Sequence, residues 1–193
     1  MQVGKIICIG RNYRQHIEEL GNELPDDMVV FFKPPSSMTE TLTAYADEPL
    51  HYEAELCFKI MDQKISAVAV GLDLTKRALQ SKLKAQGLPW ERAKAFDGSI
   101  LLSEFVALDK VDKDLTVTLT INGQLRQHGQ VKQMIYQPEQ IIEELQSFIR
   151  LEDGDIIMTG TPKGVGKINL GDVFFASVRL NETELVSKTW QAQ

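Results

Sequence analysis

The chain has only two cysteines, Cys8 and Cys57, among 193 residues. Both lie in apolar, strand-like stretches, "KIICIG" and "ELCFKI". They read as reduced core residues rather than a disulfide framework, and their spacing matches no zinc motif. A block of basic residues is also missing, and the net charge is −6. That argues against a nucleic-acid surface or a patch for anionic membranes. No apolar run approaches the ~20 residues a membrane helix needs. The opening "MQVGKIICIGRNY" has too short an apolar run, and no small-residue cleavage site, for a secretory signal. Internal repeats and low-complexity linkers are lacking too. The expectation from these absences is a cytoplasmic protein with no nucleic-acid and no membrane partner. What the chain does have is an ordinary globular composition, 43% hydrophobic and 25% charged. Its length suits one domain over residues 1–193 with a sizeable core.

Along the chain, "KIICIG" (5–10) reads as a short buried strand and "RNYRQHIEELG" (11–21) as a short helix closed by glycine. "MVVFFK" (28–33) is a strand stopped by Pro34-Pro35, and residues 36–50 are polar and irregular, as a mobile loop would be. "YEAELCFKI" and "ISAVAVGLDL" are two more strands around the turn-like "MDQK". "TKRALQSKLKAQG" (75–87) has helical composition, with Thr75 as a possible cap. Asn122-Gly123 between two strand-like runs predicts a hairpin. "PEQIIEELQSFI" (138–149) is an amphipathic helix begun by proline. A turn, a strand and a glycine-rich loop follow in "LEDGDIIMTGTPKGVG", then a closing pair of strands. Strands outnumber helices and do not alternate with them, which predicts a β-rich α+β fold.

One stretch sets a problem. "LHYEAELCFKI" (50–60) puts Glu53 and Glu55 one residue apart within an apolar run. On a strand they share a face, opposite Tyr52, Ala54 and Leu56. Like charges held together are destabilising, so the pair is either solvated or neutralised by something positive. Asp73, in "GLDLT", comes near them if the two strands pair. Three carboxylates without a His or Cys partner form a hard, oxygen-only set suited to Mg²⁺ or Mn²⁺. His16 and Glu19 share a face of the first helix, while Glu18 points elsewhere. A carboxylate-paired imidazole is a general base near neutral pH, although an ordinary surface pair has the same spacing. "TGTPKGVG" (159–166) fails as a P-loop, because the lysine after Gly166 is followed by Ile168 rather than Ser or Thr. A turn offering backbone N–H groups and threonine hydroxyls fits better, with a plain strand-to-strand loop as the alternative.

Together the strings "CIGRNYRQHIEEL", "FFKP", "HYEAEL", "GLDLT", "GLPWERAKAFDGS", "INGQLRQ" and "EDGDIIMTGTPKGVG" resemble the fumarylacetoacetate hydrolase family, above all its small acylpyruvase and oxaloacetate decarboxylase branch. The resemblance implies a mixed β-sandwich roll with a few short helices, usually a homodimer, holding one Mg²⁺ or Mn²⁺. It makes Glu53, Glu55 and Asp73 the metal ligands, and His16, Glu19 and Lys94 catalytic. Arg11 and Thr161 fall near the substrate, and Gln80 is a weaker candidate there. Two departures stand out. Tyr52 occupies a position where the family commonly has histidine, and the segment between Glu55 and Asp73 is shorter than in relatives.

The implied substrates are short 2-oxo acids with a second carbonyl or carboxylate at C4. The metal would act as a Lewis acid for the enolate. Acylpyruvate hydrolysis, with His16 activating a water and Glu19 orienting the imidazole, and oxaloacetate decarboxylation share that pyruvate enolate, which Lys94 helps to stabilise. Two alternatives follow. One is an isomerase, decarboxylase or tautomerase of a larger unsaturated 2-oxo diacid. The other is a metal-binding homologue without activity.

Overall fold

A computed structural model describes residues 3–193. In chain order its elements are β1 (Ile6–Gly10), α1 (Arg14–Glu19), β2 (Val29–Lys33), β3 (Tyr45–Ala46), β4 (Glu48–Tyr52), β5 (Ala54–Met61), β6 (Lys64–Asp73), β7 (Thr75–Lys76) and α2 (Arg77–Ala85). They continue with α3 (Glu91–Lys94), β8 (Ile100–Leu102), β9 (Val106–Ala107), β10 (Leu115–Ile121), β11 (Gln124–Gln130), α4 (Pro138–Phe148), β12 (Ile156–Met158), β13 (Gly166–Lys167), β14 (Val173–Leu180) and β15 (Thr183–Gln191). The β-rich α+β architecture is as the strand patterning predicts.

The main sheet runs β2-β1-β12-β5-β6-β8, with β9 also on β6. The β1–β12 pair is parallel and the other pairs are antiparallel. A second sheet runs β11-β10-β14-β15, and a small third one gathers β13, β4, β3 and β7. Leu56, Phe58, Val68, Val70 and Leu72 of the main sheet pack on Val117, Leu119, Phe174, Ala176 and Val178 of the second sheet, giving the largest apolar cluster. Farther along the main sheet, Ile7, Ile9 and Ile157 are covered by Ile141 and Leu145 of α4. Strand alternation sends Cys8, Cys57 and Ala69 to the opposite face. Glu55 and Asp73 follow that same alternation, so the carboxylates sit on the face turned away from the sandwich core.

The Asn122-Gly123 hairpin forms, with φ of 51° and 76°, the paired positive values that let a two-residue turn follow the strand twist. Asp62 and Gln63, at 50° and 59°, make the equivalent turn between β5 and β6. Pro138 opens α4, and Gln137 and Gln140 cap it reciprocally.

Four expectations change. The first helix starts at Arg14, not at residue 11, because Arg11 adopts φ 55° and Asn12 is spent on holding Tyr136 and Thr159 through its side chain. Residues 36–50 are not an irregular loop: Pro35–Ser37 form a 3-10 turn, and β3 and β4 pair as a hairpin. Thr75 does not cap α2. The N–H groups of Ala78 and Leu79 are instead taken by the Glu48 carboxylate at 2.8 and 3.2 Å. The strand through the glutamates is broken at Glu53. Tyr52 pairs with Gly166 in the small sheet, and Ala54 faces Leu72 in the main sheet. The chain changes sheets at the first glutamate.

Candidate functional site

The strand break and the β5–β6 pairing together assemble the carboxylates. Asp73 N–H donates to Glu53 O at 2.8 Å. Glu53, Glu55 and Asp73 are all buried, and one oxygen of each lies within 4.8 Å of the others. Tyr52, Ala54 and Leu56 point the other way, into the core, so the two glutamates share a face as the strand reading required.

Cations crowd this cluster. Lys94 Nζ, from α3, donates to Glu53 Oε2 at 2.9 Å, Asp73 Oδ2 at 2.7 Å and Thr75 Oγ1 at 2.6 Å. Lys33 Nζ lies 2.5 Å from Asp73 Oδ1 and donates to Ser99 O at 2.8 Å. Arg77, the first residue of α2, pairs with Glu53 and donates to Gln80 Oε1 at 2.8 Å. Glu55 differs from its neighbours: it accepts one bond, from Gly160 N–H at 2.9 Å, and has no ion pair among the described residues.

The electrostatics follow from this asymmetry. Burial would raise the Glu53 carboxyl, but Lys94 and Arg77, helped by His16, outweigh it and hold it well below the usual carboxylate range. Glu55 is pushed well above that range by burial and by the charges of Asp73 and Glu53. Burial also opposes the Lys94 charge, but Asp73 and Glu53 overcome it and hold the ammonium on.

His16 is buried on α1, and its Nδ1 lies 3.3 Å from Glu19 Oε2. Glu19 in turn accepts from Gly164 N–H at 3.0 and 3.2 Å. That close approach needs glycine: at φ 103° a Cβ on Gly164 would stand 1.9 Å from Arg126 O. Burial lowers the His16 pKa, against the pull of Glu53 and Glu19, so the imidazole is neutral near pH 7. With Nδ1–H assigned to Glu19, Nε2 is the free acceptor.

The remaining candidates fall at graded distances from the cluster. Gln80 is buried and linked to it through Arg77. Thr161 is buried, its hydroxyl engaged by Gln127 Nε2 and by Ala54 O. Arg11 stands apart from the carboxylates, with its guanidinium toward Asn22 Oδ1 and Glu23 O at 3.3 and 3.5 Å. Lys33, Arg77 and Gln127 are not singled out by the sequence reasoning. A lysine closing the apolar run "MVVFFK" was the available sign for Lys33. Arg77 carried no such sign, because a basic residue early in a polar helix is ordinary.

The donor set fits a hard divalent cation. It consists of three buried carboxylates without sulfur or imidazole, one of them, Glu55, in no ion pair among the described residues.

Residues 5–187 match the family model described as fumarylacetoacetate (FAA) hydrolase C-terminal. The chain is 36% identical over 188 residues to an oxaloacetate tautomerase of Escherichia coli, with 88% of this chain and 86% of that protein covered. It is 37% identical over 200 residues to a mitochondrial oxaloacetate decarboxylase of Dictyostelium discoideum, covering 94% and 91%. A crystal structure of fumarylpyruvate hydrolase from Pseudomonas aeruginosa, in complex with Mn²⁺ and pyruvate, superposes with a TM-score of 0.88 at 29% identity, over 98% of this chain and 89% of that one.

Proposed function

Because the chain belongs to the fumarylacetoacetate hydrolase family, we propose that it is a divalent-metal enzyme that cleaves the C3–C4 bond of short 2-oxo acids, by decarboxylating oxaloacetate or hydrolysing acylpyruvates. Glu53, Glu55 and Asp73 would hold Mg²⁺ or Mn²⁺, which supplies Lewis-acid stabilisation of the charge that grows on the 2-oxo group. The observation that carries the reading is the buried trio Glu53, Glu55 and Asp73, with Glu55 in no ion pair among the described residues, together with a carboxylate-oriented His16 whose imidazole feels the Glu53 charge.

The protein's own groups have distinct tasks. For an acylpyruvate, His16 Nε2 takes a proton from water while Glu19, fixed by the Gly164 amide, keeps the ring in place. The hydroxide adds to C4, the C3–C4 bond breaks, its electron pair passes to the pyruvate enolate, and the proton held by His16 returns to C3. The other product is a carboxylic acid. For oxaloacetate no water is activated: CO₂ departs, the same enolate forms, and a proton is delivered to C3. Lys94 places its ammonium beside the developing negative charge. Arg77 and Gln80 would meet the substrate from α2, Gln80 being held by Arg77, with Arg11 farther out.

A second reading is keto–enol tautomerisation of oxaloacetate, favoured by the name of the E. coli relative. It needs only proton transfer between C3 and the enol oxygen, which the His16–Glu19 pair can perform. The whole chain serves as one catalytic domain in this reading, and a homodimer is expected, to be checked by light scattering. The deciding experiment is a panel of 2-oxo acids assayed with Mg²⁺ and with Mn²⁺. Pyruvate release and enol disappearance are followed separately. Metal-dependent turnover of oxaloacetate or an acylpyruvate is expected, and no conversion of any 2-oxo acid with either ion would sink the assignment.

A further inference from the structure

Gln127 belongs to β11, in the second sheet, yet its side chain does not serve that sheet. It is 1% exposed. Its Oε1 accepts from Ala54 N–H at 2.9 Å, and its Nε2 donates both to Thr161 Oγ1 and to Pro162 O at 2.8 Å. Thr161 Oγ1 donates onward to Ala54 O at 2.9 Å. The result is a closed ring in which one amide and one hydroxyl satisfy both backbone groups of Ala54. Ala54 is the residue between Glu53 and Glu55.

The need for such a ring lies in the topology. β12 runs beside β5 only from Ile156 to Met158, opposite Cys57 to Lys59. Beyond Met158, Thr159 still gives Leu56 O its backbone N–H at 3.1 Å, joined by its Oγ1 at 3.0 Å. Farther along that edge of β5 no strand among the described residues lies next to it, and buried backbone groups must find partners. There side chains stand in for a strand: Thr161 with Gln127 serves Ala54. Gln127 also reaches the second glutamate by another path. By holding Thr161 and Pro162 it fixes the loop whose Gly160 N–H donates to Glu55 Oε2. At Gly160 φ is 93°, and a Cβ there would stand 2.9 Å from Ile9 O, so this loop has little room to be rebuilt.

We propose that Gln127 is a positioning residue that sets the separation and orientation of Glu53 and Glu55, and with them the affinity of the carboxylate site for a divalent cation, without touching cation or substrate. The proposal rests on the reading of that site as a metal site.

The test is Mn²⁺ binding to the full chain, by isothermal titration and by the Mn²⁺ electron paramagnetic resonance signal. Gln127→Met keeps the volume and removes every hydrogen bond of the amide. Its Mn²⁺ affinity is expected to fall about 10–100-fold, the range for loss of groups that orient metal ligands, with an altered resonance signal. Thr161→Val is expected to weaken binding in the wild-type background and to add little in the Gln127→Met background, because both open the same ring. If Gln127→Met does not fold, Gln127→Glu takes its place, since it retains an acceptor for Ala54 N–H and loses both donors, and the same loss of affinity is expected. Mn²⁺ affinity within twofold of wild type in a folded variant, even one with a lower Tm, overturns the proposal. Wild-type protein that binds no Mn²⁺ overturns the metal reading itself, and is recognised because it needs no variant.

Discussion

Glu53 and Glu55 are two residues apart and share a face, yet neutralising them one at a time is expected to move stability in opposite directions. Glu53→Gln takes a carboxylate from between Lys94 at 2.9 Å and the Arg77 guanidinium, at a site where the Glu53 side chain is 8% exposed and that of Lys94 is 3% exposed. Buried Lys94 then keeps Asp73 as its counter-charge, and half-buried Arg77 loses its ion-pair partner. Removing one partner from a buried pair costs ~3–5 kcal/mol, and with Asp73 still in place the lower end, ~3 kcal/mol, applies. For a chain of this size each kcal/mol shifts Tm by about 2–4 °C, so Glu53→Gln should melt roughly 6–12 °C below wild type. Glu55→Gln breaks no ion pair. Its one hydrogen bond among the described residues comes from Gly160 N–H, which a glutamine Oε1 also accepts. What disappears is a buried carboxyl whose charged form is disfavoured by burial and by Asp73 and Glu53. Relief of such functional strain is commonly worth about 0.5–2 kcal/mol, so Tm should stay level or rise by a few degrees. The assay is thermal unfolding in EDTA at pH 7.5, repeated with Mn²⁺. Wild type should be stabilised by the ion and both variants should not. Equal destabilisation of the two variants in EDTA would refute the charge assignment, because it would mean that Glu55 has a cation partner as Glu53 does.

His16→Ala should lower acylpyruvate hydrolysis by ~10²–10⁴-fold, the usual worth of a positioned base, and an unchanged rate would remove His16 from the mechanism. In the wild type the rate should fall on the acid side as the imidazole protonates. Because burial lowers its pKa from 6.5, the midpoint of that limb should lie below 6.5; a pH–rate profile with a midpoint above it would contradict the buried, neutral ring. Lys84, whose Nζ lies 4.6 Å from the Trp90 ring centroid, has its pKa lowered to about 8 by burial and by the nearby Arg11 and Arg77. It should be acetylated ahead of the other lysines in peptide-mapped labelling at pH 8, and labelling no faster than theirs would show that the positive field around α2 is weaker than the structure implies.

Much of this site is legible in the sequence because it depends on local pairing. Asp73 meets the glutamates through an antiparallel hairpin whose turn and alternation are written in residues 52–74. His16 and Glu19 meet through helical spacing. What stays hidden depends on contacts that no short window contains. Glu48 caps α2 from 30 residues away, which leaves Thr75 free to accept from Lys94. The break at Glu53 is invisible because Tyr52 and Ala54 belong to different sheets, although the residues themselves alternate as in one strand. Lys33 looks like a charge at a strand end, and its burial is evident only once Asp73 is placed beside it. The hairpin that begins within 36–50 is missed because β3 is two residues long, and β4, with Pro49 inside it, takes its other partners from β7 and β13, remote in sequence.

The chain's change of sheets at Glu53 explains why the carboxylate trio needs so many supports. Had Glu53 and Glu55 stood within one continuous strand, the ladder alone would fix both side chains. Instead, Glu53 sits where pairing is handed from the small sheet to the main one, and Glu55 sits beside an edge that β12 no longer covers. The backbone between them is held on one side by β6, through Asp73 N–H, and on the other by Gln127 of the second sheet. Each sheet therefore fixes a different part of the cluster. A perturbation that loosens the packing of the main sheet on the second, for example truncation of Phe174 beneath Tyr52, would move Glu53 relative to Glu55 before it unfolds the molecule. The geometry of the site thus depends on the assembly of the whole sandwich, although its three acids come from only 21 consecutive residues, Glu53 to Asp73.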